Sequence, residues 1–155
     1  MGRKKLDPNT SAKHVQILKS AGKMFVRHGY TAVSMDAIAD AVPVSKRTLY
    51  NHFSDKKALF TAVMQSRCQQ VAHMLEQTLG TEREVEHVLT EIANHYMDIV
   101  LDVEAVDMYR TLITESYQFP ELGVLFYESG PLRSRSLFAD YLKELDAKKI
   151  LRVPN

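Results

Sequence analysis

The chain has 155 residues, a single cysteine and a formal net charge of +1, which suits one globular domain or two small ones with a buried core. Because Cys68 is the single cysteine, no disulfide can form within the chain, which favours a reducing compartment. No apolar run approaches the ~18 residues of a membrane span. The basic first residues, MGRKKLDPNT, lead into no apolar segment of the kind that secretory signals carry. We therefore expect a soluble cytoplasmic protein.

The charge is distributed unevenly along the chain. Residues 1–60 contain eleven Lys or Arg and four Asp, a net +7, whereas residues 61–155 contain nine Lys or Arg and fifteen Asp or Glu, a net −6. A basic first part and an acidic second part indicate different partners for the two, although chance drift across a helical protein would produce the same split. We expect two domains, residues 1–60 and 61–155.

Helical periodicity extends over almost the whole chain, and strand signals are almost absent, which predicts an all-α fold. The first helix is expected over residues 11–28, with Gly29 ending it as a C′ glycine. The apolar residues that recur three or four positions apart, and should form its buried face, are Val15, Leu18, Ala21 and Phe25.

Two short helices, separated by a tight turn, should follow. Ser34 is a suitable N-cap for the first, which should end by Ala41 because Pro43 disfavours helical geometry at the residue before it. Ser45 would cap the second, over residues 46–53. The residues expected to face inward are Ile38, Ala41, Leu49 and Phe53.

A longer fourth helix should begin after Ser54 or Asp55. Its expected buried residues are Leu59, Val63, Val71 and Leu75. Further helices are expected over residues 82–100, 104–116 and 121–148. The last contains Gly130-Pro131, where we expect a kink or a break, since proline removes a backbone donor and crowds the preceding turn.

The third helix, in the segment VSKRTLYNHF, concentrates hydrogen-bond donors. Two short helices joined by a tight turn form a helix-turn-helix, whose second helix enters the DNA major groove. Its first turn would face bases, because Lys and Arg bond guanine while Ser and Thr donate or accept. Its other donors suit phosphate oxygens. The base-facing residues are Ser45, Lys46, Arg47 and Thr48, and the phosphate-facing ones are Thr48, Tyr50, Asn51 and His52.

The segment YTAVSMDAIADAVPVSKRTLYNHFSDKKALF resembles the DNA-binding domain of the TetR family of bacterial transcriptional regulators. The resemblance covers roughly residues 11–60, and FPELGVLFYESGP is similar to one branch of the family's C-terminal ligand-binding domains. It implies an all-helical homodimer that binds a palindromic double-stranded operator. A small-molecule inducer, not identified by the sequence, would bind residues 61–155 and change the spacing of the two reading heads.

The same resemblance implies roles for individual residues. Lys46, Arg47 and Thr48 match base-contacting positions, and Tyr50 and His52 match phosphate-contacting ones. Thr31 and Ser34 match positions where the second helix meets the DNA backbone, and Lys57 matches another phosphate contact. An N-terminal arm that reaches the minor groove or phosphates would contain Arg3, Lys4 and Lys5.

The chain departs from the family pattern in two places. The family often has glycine, which tolerates positive φ, where this chain has Pro43, which cannot adopt it. Members also usually continue for about two more helices that build the dimer's four-helix bundle, whereas this sequence stops at KKILRVPN. A second hypothesis is therefore a helical ligand- or partner-binding module whose DNA-binding head is impaired or lost.

Two further patterns, a candidate metal site and a candidate reactive thiol, have plainer interpretations. His87, Glu91 and His95 would lie along one helix face, but the outer two would be ~12 Å apart, too far to share one ion. We expect a solvated face there and no metal or cofactor. We expect Cys68 to be buried and inert, with redox sensing as the alternative. No nucleophile, base and orienting group stand out, which argues against an enzyme.

The second half is rich in Met and aromatic residues, which at helical spacing form either core or an adaptable apolar pocket. For any one of these residues, packing in the core is a commoner role than direct contact with a ligand. The candidate pocket residues are Tyr96, Tyr109, Arg110 and Phe126. Arg110 would meet an anionic ligand or pair with Asp107 or Glu115.

Overall fold

The computed structural model describes residues 8–80 and 83–152, with side chains from residue 12 onward. These residues form eight α-helices and no strand, so the all-α prediction is confirmed. No helix among them combines the length and apolar character needed to cross a membrane. The helices are α1 Pro8–His28, α2 Met35–Ala41, α3 Lys46–His52, α4 Lys56–Leu79, α5 Val85–Leu101, α6 Val103–Ser116, α7 Pro120–Ser129 and α8 Pro131–Ala147.

The start of the chain differs from the prediction in two respects. Helix α1 begins at Pro8, three residues earlier than expected, with a proline in the first turn where its missing N–H costs nothing. Its buried stripe is Ile17, Ala21 and Phe25, whereas Val15 is 61% exposed. The predicted stripe was wrong at Val15 because α1 packs against α2, α4 and α6 at once. Those partners, not the periodicity alone, select the buried face.

Helix α2 shows a smaller correction. Ile38 is fully buried as expected, but Ala41 is exposed, and Met35 and Ala39 are buried in its place. Ala41 is the last helical residue, and the chain turns extended at Val42, which is itself buried. The inward position predicted for Ala41 is therefore filled by Val42.

Helix α4 is the central element. It packs against α1 from the N-terminal part and against α5, α7 and α8 from the C-terminal part. Asp55, rather than Ser54, caps it by accepting a hydrogen bond from the Ala58 N–H at 2.7 Å. Of the four residues predicted to be buried, Leu59, Val63 and Leu75 are, while Val71 is half-buried.

An aromatic cluster joins the N-terminal helices to the C-terminal ones. Tyr30, which follows α1, packs edge-to-face on Phe60 of α4 at 5.0 Å and on Phe119, just before α7, at 5.4 Å between ring centroids. Phe25 packs on Phe60 at 5.1 Å. Such pairs add roughly 0.5–1.5 kcal/mol each beyond their buried area. The same buried cluster includes Met108, Leu112 and Leu122, so the core is continuous across both parts.

The remaining helices follow the predicted order with shifted ends. Helix α5 begins at Val85, later than the predicted residue 82, which lies outside the described ranges. The predicted helix over 121–148 is two helices, α7 and α8, that break at Gly130 and restart at Pro131. Gly130 is buried directly against Cys68 of α4. The two residues are so close that a Cβ added at position 130 would overlap the Cys68 Sγ and lie 2.7 Å from the Cys68 Cβ. The break therefore lets α8 begin against α4.

We expect Gly130→Ala to lower the free energy of unfolding by roughly 1–3 kcal/mol, because the added methyl group overpacks the contact with Cys68. Urea denaturation measures this. Gly123→Ala is the control, since a Cβ there meets only the Ser116 side chain, at 3.2 Å. Combining Gly130→Ala with Cys68→Gly removes the overlapping atoms, so the double variant should lose less stability than the two losses added. Simple additivity would contradict the close contact.

Candidate nucleic-acid interface

The two short helices and their turn have the geometry of a helix-turn-helix. The Ser34 side chain accepts from the Ala37 N–H and that of Ser45 accepts from the Thr48 N–H, both at 3.1 Å, so both predicted N-caps are confirmed. Residues 42–45 form the connection. Val42 is extended, as expected before Pro43, and its carbonyl accepts from the Val44 N–H at 2.6 Å. Pro43 is exposed and leaves both caps intact.

Helix α3 has one buried and one exposed face. Leu49 is fully buried and Phe53, the C-cap residue, is 5% exposed, so both anchor α3 to the core as expected. The opposite side is open to solvent, and Thr48 and His52 lie at its half-buried margin. The exposed residues of this face are Lys46, Arg47, Tyr50 and Asn51. The helix therefore presents polar and cationic groups outward from a fixed apolar base.

The two cations of α3 differ in their partners. Lys46 Nζ lies 3.1 Å from the Asp36 carboxylate of α2, and this hydrogen bond raises the pKa of Lys46. No ion pair involves Arg47 within the described ranges, so its guanidinium is open to an incoming acceptor. The Asp36–Lys46 pair is well exposed, so it contributes little stability. It does link the two helices of the motif directly.

A histidine pair lies where α3 ends against α1. The rings of His14 and Phe53 stack at 5.0 Å, and His14 lies 5.5 Å from His52, between ring centroids. Burial, and secondly the nearby His52, lowers the pKa of His14. The packing of α1 against the end of the candidate reading helix thus favours the neutral form of His14.

Two further predicted DNA-contacting residues, besides Lys46, have carboxylate partners that sequence reasoning missed. Thr31 donates its backbone N–H and its hydroxyl to the two oxygens of Glu115 on α6, at 3.1 and 2.7 Å. Lys57 lies 3.3 Å from the Glu121 carboxylate on α7. The pKa of Glu121 is lowered, first by its own backbone N–H and then by Lys57. These partners are 84 and 64 residues apart in sequence, so no local pattern signals them.

The remaining predicted DNA contacts are placed as follows. Ser45 and Thr48 lie at the start of α3 with their hydroxyls 2.9 Å apart, so each has part of its bonding capacity used locally. Ser34 is exposed beside α2. Arg3, Lys4 and Lys5 lie outside the described residues. The structure therefore brings the α2 and α3 candidates to one region, with Lys57 following at the start of α4.

The candidate metal residues are placed along α5, and none of the described residues forms a cluster of three or more metal-ligand side chains. Glu91 is held by Arg83 at 2.6 Å, which lowers the pKa of Glu91, and His87 faces solvent beside Glu84. Cys68 is a buried free thiol, as predicted, and burial raises its pKa. A raised pKa disfavours the reactive thiolate.

The candidate pocket residues are only partly brought together. Tyr109 and Phe126 pack edge-to-face at 5.1 Å, and burial raises the pKa of Tyr109. Tyr96 is 63% exposed on α5. Arg110 pairs with Asp107, one of the two partners that the sequence suggested, at 3.3 Å. A ligand site built on these residues stays a prediction.

Comparison with known proteins identifies the class of this interface. Residues 17–63 match the family model of bacterial regulatory proteins of the tetR family, and residues 87–155 match the AefR-like transcriptional repressor C-terminal domain. The chain belongs to the TetR family of bacterial transcriptional regulators. The proteins of this family are DNA-binding transcriptional regulators and are not enzymes.

Solved structures agree over most of the chain. A TetR-family regulator from Mesorhizobium loti is 29% identical with a TM-score of 0.79, and the match covers 92% of this chain and 72% of that one. The flavonoid-responsive regulator FrrA is 32% identical with a TM-score of 0.74, over 94% of this chain and 74% of FrrA. The helical fold and its N-terminal helix-turn-helix are thus those of the TetR family.

Curated relatives match over different lengths. The transcriptional activator FasR of Mycolicibacterium smegmatis is 36% identical over 85 residues, which are 55% of this chain and 39% of FasR. The regulator YvkB of Bacillus subtilis is 26% identical over 145 residues, 90% of this chain and 71% of YvkB. The chain therefore spans well under half of FasR and about seven-tenths of YvkB.

We expect the folded protein to lose stability as pH falls below the ordinary histidine pKa of 6.5, because the unfolded chain then binds a proton that folded His14 resists. His14→Gln removes this group and should flatten the loss between neutral and mildly acidic pH. Urea denaturation at several pH values measures it. His28→Gln, at the exposed end of the same helix, shows how much any histidine substitution contributes. Identical pH profiles for wild type and His14→Gln would contradict the assignment.

Proposed function

We propose that this TetR-family chain is a repressor that binds a palindromic operator as a homodimer and is released by a small-molecule inducer. The observation that carries the DNA-binding part is the exposed polar face of α3, anchored by buried Leu49 and Phe53. The match of residues 87–155 to a repressor's C-terminal domain supports repression rather than activation. The matching activator FasR makes activation the alternative outcome.

The proposed contacts fall into two groups. Arg47, exposed and without an ion-pair partner within the described ranges, would read base edges together with the neighbouring turn of α3. Side chains around it would bond phosphates and fix the register without reading sequence. The base-reading set is Ser45, Lys46, Arg47 and Thr48; the backbone set is Thr31, Ser34, Thr48, Tyr50, Asn51, His52 and Lys57, with Arg3, Lys4 and Lys5 as the arm.

The proposed regulatory part is residues 61–155. FrrA is described as flavonoid-responsive, and the aromatic contact of Tyr109 with Phe126 is suited to a planar or apolar effector. Tyr96 and Arg110 would contact the effector at the edge of this proposed site. Such an effector weakens DNA binding only through its preference for the state that does not bind operator.

Arg47→Ala should lower the affinity for the specific operator by ~1–3 kcal/mol and relax base preference at one position, since it removes a base contact. Lys57→Ala should weaken all sequences alike and reduce the salt slope by about one unit, since it removes a phosphate contact. Operator selection from random duplexes, followed by titrations at several salt concentrations, measures both. Equal losses with unchanged base preference would remove Arg47 from the reading role.

The homodimer is tested by light scattering near physiological salt. We expect a mass near twice 17.7 kDa, because a palindromic operator requires two reading heads held at a fixed spacing. A monomer at concentrations that saturate the operator would contradict dimeric binding by these residues. Affinity would then lack the gain that a linked second half-site provides.

A further inference from the structure

The corner between α6 and α7 lies directly against the DNA-binding head. Over residues 115–121 it contributes a carboxylate at each end and the Phe119 ring between them. Glu115 accepts both donors of Thr31, Phe119 packs on Tyr30, and Glu121 pairs with Lys57. We call residues 115–121 the acidic corner.

The two residues held by the acidic corner belong to the backbone-contacting set of the proposed function. Thr31 has one backbone N–H and one hydroxyl hydrogen, and both point to Glu115. Carboxylate and phosphate offer the same kind of anionic oxygen acceptor. Thr31 therefore cannot donate to Glu115 and to a phosphate with the same hydrogens.

The Lys57 pair is suited to exchange. Both side chains are about half exposed, 52% and 49%, and the Nζ to Oε1 distance is 3.3 Å. Exposed pairs of this kind are weak and are screened by salt. A phosphate that approaches Lys57 also comes close to Glu121, and two anions sharing one ammonium repel each other. DNA that binds Lys57 must therefore displace Glu121, or its affinity is lowered by that repulsion.

We propose that Glu115 and Glu121 compete with operator phosphates for Thr31 and Lys57, so that the acidic corner restrains DNA binding. The proposal rests on the proposed function, since it needs Thr31 and Lys57 to meet the DNA backbone. A shift of the corner toward the head strengthens the restraint, and a shift away releases the donors. By linkage, bound DNA weakens the hold of the corner on the head to the same extent.

The test uses the full chain and a short duplex of mixed sequence, because phosphate contacts are independent of sequence. Glu121→Gln keeps the size of the side chain and removes its charge. We expect it to raise DNA affinity about two- to fivefold at low salt, the effect of an exposed ion pair. Glu115→Gln should raise affinity in the same direction, and circular dichroism checks that both variants remain helical.

Glu128→Gln is the matched control for net charge. It lies on α7 and is exposed, and no ion pair or hydrogen bond involves its side chain within the described ranges. Its effect gives the gain that follows merely from removing one negative charge. The gain of Glu121→Gln must exceed it and must fall to the control's value when Lys57→Ala is present in both proteins being compared, since the competition acts through Lys57.

The outcomes separate the two proposals. Salt-dependent binding by the wild type, with Glu121→Gln no better than Glu128→Gln or weaker than the wild type, overturns the competition and leaves the DNA-binding function standing. A gain above that of Glu128→Gln that persists with Lys57→Ala overturns it as well. A wild-type chain that binds no duplex at any salt concentration overturns the proposed function together with the competition.

Discussion

The packing of Tyr30 between Phe60 and Phe119 is the contact on which the arrangement of the whole chain depends. Tyr30 follows Gly29, whose φ of +80° turns the chain sharply out of α1. The ammonium of Lys56 then holds the turn by donating to the Tyr30 carbonyl at 2.8 Å and lying 4.5 Å from the Tyr30 ring centroid. The Tyr30 side chain thus connects the DNA-binding head, the central helix α4 and the start of α7.

The position of the reading helix follows from that cluster. Helix α3 itself is only seven residues long, too short to be stable alone. It is held by Leu49 and Phe53 beneath it, by the Ser45 cap at its start and by the His14 ring at its end. Its exposed face is therefore presented by contacts with α1 and α2, and the family's function depends on a surface that has little stability of its own.

Sequence reasoning succeeded where the signal is local. The caps at Ser34 and Ser45, the end of α2 before Pro43 and the break at Gly130 each depend on residues within a few positions. It failed at Val15, because distant helices select the buried face of α1, and at Ala41, because the chain turns extended there and buries Val42 instead. It could not find Glu115 and Glu121, since their partners are far away in the chain. The candidate site was predicted as a motif, but its long-range partners were not.

The continuous core has a consequence for modularity. Met108 and Leu112 of α6 and Leu122 of α7 belong to the same buried cluster as the head residues Phe25 and Phe60. Two separate family models match the reading head, over residues 17–63, and the C-terminal part, over residues 87–155. Here a cut after α4 would expose one side of that cluster to water. A head transplanted onto another sensor would therefore need a replacement for the apolar surface of α6 and α7. Retaining the two parts together keeps that shared core buried.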